Sequence, residues 1–311
     1  MQTDSLARAR QWLEPHTSRA ADWPVETLCK AKGSTTVSVV LPARDEERTV
    51  GEIVRTIRRD LPELVDEVLV VDSRSTDATA AVAAAAGAKV VHQDAVLPAL
   101  PPMSGKGEAL WKGLAASTGD LVVFIDADLR NFEAHFVSGL LGPLLTDPSV
   151  HFVKGAYERP LRGRRGEGGR VTELVARPVL NLFWPELAGF IQPLGGEYAA
   201  RREVLERIPF VTEYGVEIGL LIDLLDLVGL DAMAQVDLGS REHGHQSTAA
   251  LGRMSGQILL TAWSRLEREG RIVASEAPAS TLLQFTPSGK ERPAEVSVAE
   301  RPSLASVRTA I

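Results

Sequence analysis

The chain predicts an α/β fold with a mostly parallel sheet flanked by helices, and three observations predict it. Short apolar or β-branched runs alternate with segments of helical spacing across about ninety residues, from Val37 to Ile125. The runs are apolar on both sides rather than alternating with polar residues, as strands covered on two faces are. One run, Val122-Val123-Phe124-Ile125, leads straight into Asp126-Ala127-Asp128. That puts two carboxylates at the carboxyl end of a buried strand, the edge where open α/β sheets bind ligands.

The elements follow in order. A helical stretch is expected near Leu6–Leu13. Val37–Leu41 is the first strand of the sheet, and Thr49–Arg59 is a helix through Val50, Ile53, Val54 and Ile57, followed by Pro62. Glu67–Asp72 is the second strand. Ser75, Thr76 and Asp77 then cap an alanine-rich helix, Ala78–Ala86, that Gly87 ends. Lys89–Val91 is a third strand, and Pro98–Pro102 lies in a loop. Gly105-Lys106-Gly107 opens a helix through Leu110 and Leu114, and Leu121–Ile125 is the fourth strand. Right-handed crossovers make these strands parallel. Beyond Asp128 the expected elements are a helix near Glu133–Leu145, a strand near Val150–Tyr157 and a Gly/Arg-rich loop, Arg159–Arg170. A helix from Val171 towards Phe183, helices at Tyr214–Val228 and Ala250–Arg268, and a strand at Asp231–Leu238 complete the pattern. After about Ala274, prolines and sparse hydrophobics predict a poorly ordered tail.

Bulk properties narrow the function. At 311 residues, with 24% charged and 44% hydrophobic residues, the chain can bury a full core. A net charge of −7 argues against general nucleic-acid binding, which needs a basic footprint. The single cysteine, Cys29, excludes a disulfide framework within the chain and fits a reducing cytoplasm. The first thirty residues show no apolar signal region. No stretch reaches the roughly 18–20 apolar residues of a membrane span. Leu220–Leu230 is interrupted by Asp223 and Asp226.

The chemistry concentrates at the strand ends. Asp126 and Asp128 repel each other unless a cation lies between them, and hard oxygen ligands suit Mg²⁺ or Mn²⁺ bound together with substrate phosphates. The turns Leu41-Pro42-Ala43-Arg44-Asp45-Glu46-Glu47 and Val71-Asp72-Ser73-Arg74-Ser75-Thr76-Asp77 should face the same edge and could grip a nucleoside. Asp45 and Asp77 can equally be helix caps. Lys106, near a helix N-terminus, can hold a phosphate or can simply be solvated. Glu217 lies among apolar neighbours and needs a partner, either sugar hydroxyls or a cation.

In that order, Leu-Pro-Ala-x-Asp-Glu-Glu, Val-Asp-Ser-x-Ser-Thr-Asp, Gly-Lys-Gly-Glu-Ala-Leu-Trp and Phe-Ile-Asp-Ala-Asp resemble the GT-A glycosyltransferases. More closely the chain is similar to the glucosyl-3-phosphoglycerate synthases of actinobacteria. Gly169–Pro178, Gln192–Ala200 and Tyr214–Asp223 extend the likeness, which covers roughly residues 36–260. The resemblance implies a metal-dependent, retaining transfer of glucose from UDP-glucose to the 2-hydroxyl of D-3-phosphoglycerate, with Mg²⁺ or Mn²⁺. The departing phosphate would take the acceptor proton on the same face. It also implies a homodimer, while the lone cysteine, the charge and the lack of a long apolar run lead one to expect a cytoplasmic protein with no nucleic-acid or membrane partner.

Carried over residue by residue, Pro42, Ala43, Glu46 and Ser73 would hold uridine and ribose, and Lys106 the diphosphate side. Asp128 and His243 would ligate the metal, with Asp126 on ribose or metal-bound water. Glu217 would bind donor sugar hydroxyls. Ala127, Tyr214 and Arg241 would join the donor site, and Gly169, Arg170, Thr172 and His245 the acceptor site. Asp128, Lys106 and Glu217 would be the catalytic set. The chain departs from the family at His245, where an amide is usual, and in a shorter loop carrying Arg162, Arg164 and Arg165. The expected organisation is an N-terminal extension (1–35), a nucleotide-sugar half (36–158), an acceptor half (159–274) and the tail (275–311). Alternatives within the fold are a GDP-mannose-dependent mannosyl-3-phosphoglycerate synthase and a polyprenyl-phosphate sugar transferase. Outside catalysis they are a nucleotide-sugar sensor and a purely structural interaction protein.

Overall fold

The apolar runs become strands whose side chains alternate between two buried layers. In the computed structural model, residues 2–159, 169–241 and 247–310 are described. The first half contains α1 (Gln2–Leu13), β1 (Thr17–Arg19), α2 (Val25–Lys32), β2 (Val37–Ala43), α3 (Val50–Asp60), β3 (Glu67–Asp72), α4 (Thr79–Ala85), β4 (Lys89–His92), α5 (Lys106–Ala116) and β5 (Leu121–Phe124). The second contains α6 (His135–Thr146), β6 (Phe152–Glu158), α7 (Arg177–Phe183), β7 (Tyr198–Arg201), α8 (Arg202–Leu205), β8 (Phe210–Val211), α9 (Val216–Val228) and β9 (Met233–Ser240). Then come α10 (Thr248–Arg268), β10 (Thr281–Phe285), β11 (Glu291–Glu295), β12 (Glu300–Arg301) and α11 (Leu304–Ala310).

One eight-stranded sheet runs β1-β9-β6-β7-β5-β2-β3-β4. Every neighbouring pair is parallel except those that β7 makes with β5 and β6. Val40, Leu69, Val71, Val122 and Phe124 belong to the buried layer on one face, with residues of α5 and α9. Val39, Leu41, Val70, Val123 and Ile125 belong to the other, with residues of α3 and α6. This period of two explains why the runs lack polar alternation: both faces are covered.

The topology gathers one edge. Ala43 pairs with Asp72 and Val40 with Phe124, so the turns after β2, β3 and β5 share the carboxyl edge. Because β7 is reversed, its beginning arrives there too, with Tyr198 opposite both Phe124 and Lys154. The ends of β6 and β9 meet beside it, Glu158 opposite Ser240.

Both termini differ from expectation. Residues 1–35 are part of the fold rather than an extension: β1 is an edge strand on β9, and the buried Trp12 indole donates to the Leu230 and Met233 carbonyls, each at 3.0 Å. The expected poorly ordered tail instead forms the hairpin β10–β11, the strand β12 on β8, and α11. Three of its hydrophobics, Val296, Leu304 and Val307, are buried, and Arg301 is buried against Glu108 of α5. A sparse set of well-placed contacts suffices to order a segment of low average hydrophobicity. Among the described residues no helix is long and apolar enough to cross a membrane.

Candidate active site

A cavity of about 630 Å³ opens at the carboxyl edge. Pro42, Ala43 and Glu46 after β2, Ser73 after β3, Lys106 on α5, and Asp126, Ala127 and Asp128 after β5 all line it, as does Tyr214 before α9. The parallel strands bring these turns together, and the helix that leaves one turn points its N-terminus at the same space. At Gly105 the backbone takes φ +104°, a conformation glycine adopts without strain, and α5 starts there.

The charges form a chain across the floor. Lys106 Nζ lies 2.6 Å from Asp126 Oδ1 and 2.7 Å from Glu217 Oε1. The partner that Glu217 requires is therefore this lysine. The Arg241 guanidinium donates to Asp126 Oδ2 at 2.5 Å and to Asp128 Oδ1 at 3.2 Å. Its Nε lies 3.0 Å from Glu197 Oε1, and the Tyr157 hydroxyl donates to Glu197 Oε2 at 2.6 Å. Gly196 packs against Asp126 so closely that a Cβ there would sit 2.2 Å from its carboxylate oxygens.

These contacts separate the two aspartates electrostatically. Burial works against the charged form of Asp126, but Lys106 and Arg241 outweigh it and hold the carboxyl well below the usual range. Asp128 is raised instead, by burial first and by the charge of Asp126 second. Glu46 is pushed up to about 7 by burial, with Asp128 adding to it. Burial also disfavours the Lys106 ammonium, yet Asp126 and Glu217 together keep its pKa well above that of a free lysine. Lys154 of β6 lies beneath this layer, with its Nζ donating to the Gly195 carbonyl at 2.5 Å and lying 4.5 Å from the Tyr198 ring. Burial lowers its pKa to about 7.

The residues fit a divalent cation bound with a phosphate. Asp128 keeps 37% of its side-chain surface exposed on the cavity wall, and its carboxyl, raised by burial first and by the Asp126 charge second, sits where a cation would offset both. Among the described residues no group of three His, Cys, Asp or Glu side chains forms a ready-made cage. His243 and His245 lie outside the described residues, as do Arg162, Arg164 and Arg165.

Of the predicted acceptor residues, the described Gly169, Arg170 and Thr172 are not on the cavity wall. Gly169, with φ +73°, and the partly buried Arg170 precede a π-helical turn, Thr172–Ala176, that runs into α7, and Thr172 is buried. Of the strand-end acids without an assigned role, Asp72 accepts from the Ser75 amide at 3.3 Å and Asp77 from the Thr79 amide at 2.9 Å. Asp45 ties the two turns together by accepting from the Thr76 amide at 2.7 Å. Reading the sequence alone misses Glu197, Lys154 and Tyr157 in the floor, and Arg44, Glu213, Arg253, Glu295 and Ser297 in the wall. Glu197, next to the apolar Tyr198-Ala199-Ala200, carried the same signal as Glu217: a carboxylate beside buried apolar residues.

Residues 38–171 match the model of Glycosyl transferase family 2. The glucosyl-3-phosphoglycerate synthase of Mycolicibacterium smegmatis is 50% identical over 305 residues, spanning 96% of this chain and 98% of that protein. The chain belongs to the glucosyl-3-phosphoglycerate synthase family. A crystal structure of glucosyl-3-phosphoglycerate synthase from Mycobacterium tuberculosis in complex with Mn²⁺, UDP-glucose and phosphoglyceric acid superposes with TM-score 0.83. It is 47% identical and covers 92% of this chain and 96% of that one. Another structure of that enzyme holds Mg²⁺ and UDP. Mannosyl-3-phosphoglycerate synthase from Rubrobacter xylanophilus superposes with TM-score 0.90 at 43% identity, covering 96% and 98% of the two chains. The fold is therefore GT-A, a mixed and mostly parallel sheet between helices.

Proposed function

We infer that the protein transfers glucose from UDP-glucose to the 2-hydroxyl of D-3-phosphoglycerate, with retention, releasing UDP. The observation that carries this is the cavity wall on which Asp128 stands beside Lys106 and Asp126, with the buried Glu217 paired to Lys106. Membership of a family whose solved relatives bind this donor and acceptor supports it.

Pro42, Ala43 and Ser73 take the uracil, while Glu46 and Asp126 take the ribose side. Lys106 stands against the diphosphate, where UDP leaves with about two negative charges. Glu217 exchanges its lysine contact for donor sugar hydroxyls, with Tyr214, Ala127 and Arg241 completing the donor site. Asp128, with His243, would hold Mg²⁺ or Mn²⁺, which when bound supplies Lewis-acid charge for the departing diphosphate. Arg170 and Thr172, with Gly169 and His245, receive the acceptor. A guanidinium at the start of a helical segment, with its free amides, suits a phosphate and a carboxylate. The acceptor oxygen bonds to the anomeric carbon as the anomeric carbon–phosphate oxygen bond breaks, and the acceptor proton passes to the departing phosphate oxygen.

A cytoplasmic location fits the lone cysteine and the nucleotide-sugar substrate. Exposed Leu259 and Trp263 on α10, with Leu283 and Phe285 on β10, support a homodimer. The mannosyl enzyme from Rubrobacter xylanophilus keeps one second reading open, a mannose donor.

The test is UDP release from UDP-glucose with D-3-phosphoglycerate and Mg²⁺, beside GDP-mannose and EDTA controls. Acceptor-dependent, EDTA-sensitive release is expected, and Asp128→Ala should reduce it by about 10²-fold or more. Release only from GDP-mannose would establish the second reading. Bound UDP-glucose with no release by any acceptor would leave a sensor.

A further inference from the structure

Behind the cavity wall lies a buried amide that does not itself line the cavity. Gln93, in the short turn after β4, is 1% exposed. Its Nε2 donates to the Met103 carbonyl at 3.2 Å. A carbonyl can only accept, so this contact decides which end of the amide faces which way. Oε1 then faces Ser73, whose hydroxyl donates to it at 2.7 Å. A hydroxyl has one proton. With that proton committed to Gln93, Ser73 Oγ offers only lone pairs to the cavity it lines. The Ser73 main-chain amide is also committed, to the Ala43 carbonyl at 2.8 Å. Nor is Met103 loosely placed. Arg74 Nη2 donates to the same carbonyl at 3.3 Å, and the Arg74 guanidinium grips Asp94 at 2.8 and 2.9 Å.

We propose that Gln93 is a specificity-determining positioning residue: by taking the Ser73 proton it turns that hydroxyl into a pure acceptor, so the site selects a base with a ring N–H. The inference rests on Ser73 being the base contact of the proposed UDP-glucose site. Uracil presents N3–H between two carbonyls and can donate to Ser73 Oγ. Cytosine presents an N3 lone pair there, and no proton would lie between the two acceptors. A site built to hydrogen-bond a group rejects the analogue lacking it strongly, because buried polar atoms are left unpaired. Gln93 thus sets the base preference through Ser73 without touching the nucleotide.

The experiment is calorimetric titration of UDP and of CDP in saturating Mn²⁺, on the wild-type protein and on Gln93→Met, Gln93→Glu and Ser73→Ala. The wild type should bind UDP at least about tenfold more tightly than CDP. In Gln93→Met, which keeps the length but removes the acceptor, the hydroxyl can turn and donate to cytosine N3. The preference should fall to within about threefold, mainly by gain of CDP affinity. Gln93→Glu keeps an acceptor facing Ser73 and should keep the wild-type ratio. A purely structural role for Gln93 would weaken both nucleotides together and leave the ratio alone. An unchanged ratio in folded Gln93→Met overturns the inference while leaving the donor site intact. Should Gln93→Met fail to fold, an unchanged ratio in Ser73→Ala overturns it equally. A wild-type protein that binds neither nucleotide overturns the reading of the site, and this inference with it.

Discussion

Removing the Arg301 side chain should detach the C-terminal segment from the helix that carries Lys106. Glu108 is fully buried and Arg301 is 3% exposed. The guanidinium makes two bonds of 2.7 Å to the Glu108 carboxylate and one of 2.6 Å to the Pro101 carbonyl. It also stacks 5.3 Å from the Trp111 ring, whose indole donates to the Pro302 carbonyl at 3.0 Å. In Arg301→Ala the Glu108 carboxylate stays buried, with Lys112 Nζ no nearer than 3.9 Å. Stranding one member of a buried pair costs about 3–5 kcal/mol. Unfolding entropy near 60 °C is about 2.1 cal/mol/K per residue, so 311 residues give about 0.65 kcal/mol/K and a Tm lower by about 5–8 °C. Scanning calorimetry of the wild type, Arg301→Ala, Glu108→Gln and the double variant measures this. The double variant should lose less than the sum of the singles by about 2 kcal/mol, because it leaves no stranded charge. An Arg301→Ala Tm within about 1 °C of wild type would refute the reasoning and show that the tail is held by its other contacts.

Two further outcomes follow from the same geometry. Gly196→Ala places a Cβ 2.2 Å from the Asp126 oxygens. The carboxylate must leave Lys106 and Arg241, so kcat with UDP-glucose and D-3-phosphoglycerate should fall by about 10²-fold or more while the far-UV circular dichroism stays native. Lys154 has a folded pKa of about 7 against 10.5 for a free lysine, so folding releases a proton between those values. Its contribution is present above pH 10.5 and is lost as pH falls towards 7, at up to about 1.4 kcal/mol per pH unit. Lys154→Met should flatten that slope in urea unfolding between pH 7 and 10, and an unaltered slope would show that Lys154 stays protonated in the folded protein.

The legible part of this protein was local. The strands β2, β3, β4 and β5 and the helix α5 stand within a few residues of where apolar runs, prolines and glycines place them. Pro42, Ser73, Lys106, Asp126 and Asp128 could be picked out because parallel strands send their carboxyl ends to one edge. Glu197 and Lys154 could not be assigned, since Glu197 stands just before β7 and Lys154 within β6 as lone charges among apolar neighbours, and their partners lie far along the chain, Tyr157 40 residues away and Gly195 41 residues away. The terminal segments failed for the same reason. β1 is three residues long and exists only as a neighbour of β9, and the tail has too few hydrophobics to declare itself.

By itself, then, the sequence determined the parallel α/β half, the edge that carries the cavity and the acidic pair there, because periodicity and strand direction are written residue by residue. Only the tertiary structure decided what each charge faces. Lys106 neutralises Asp126 and Glu217, Arg241 bridges Asp126 and Asp128, and Gln93 turns the Ser73 hydroxyl. Such pairings depend on which distant backbones approach within hydrogen-bond reach, and that distance is a property of the packed sheet, not of any local stretch of chain.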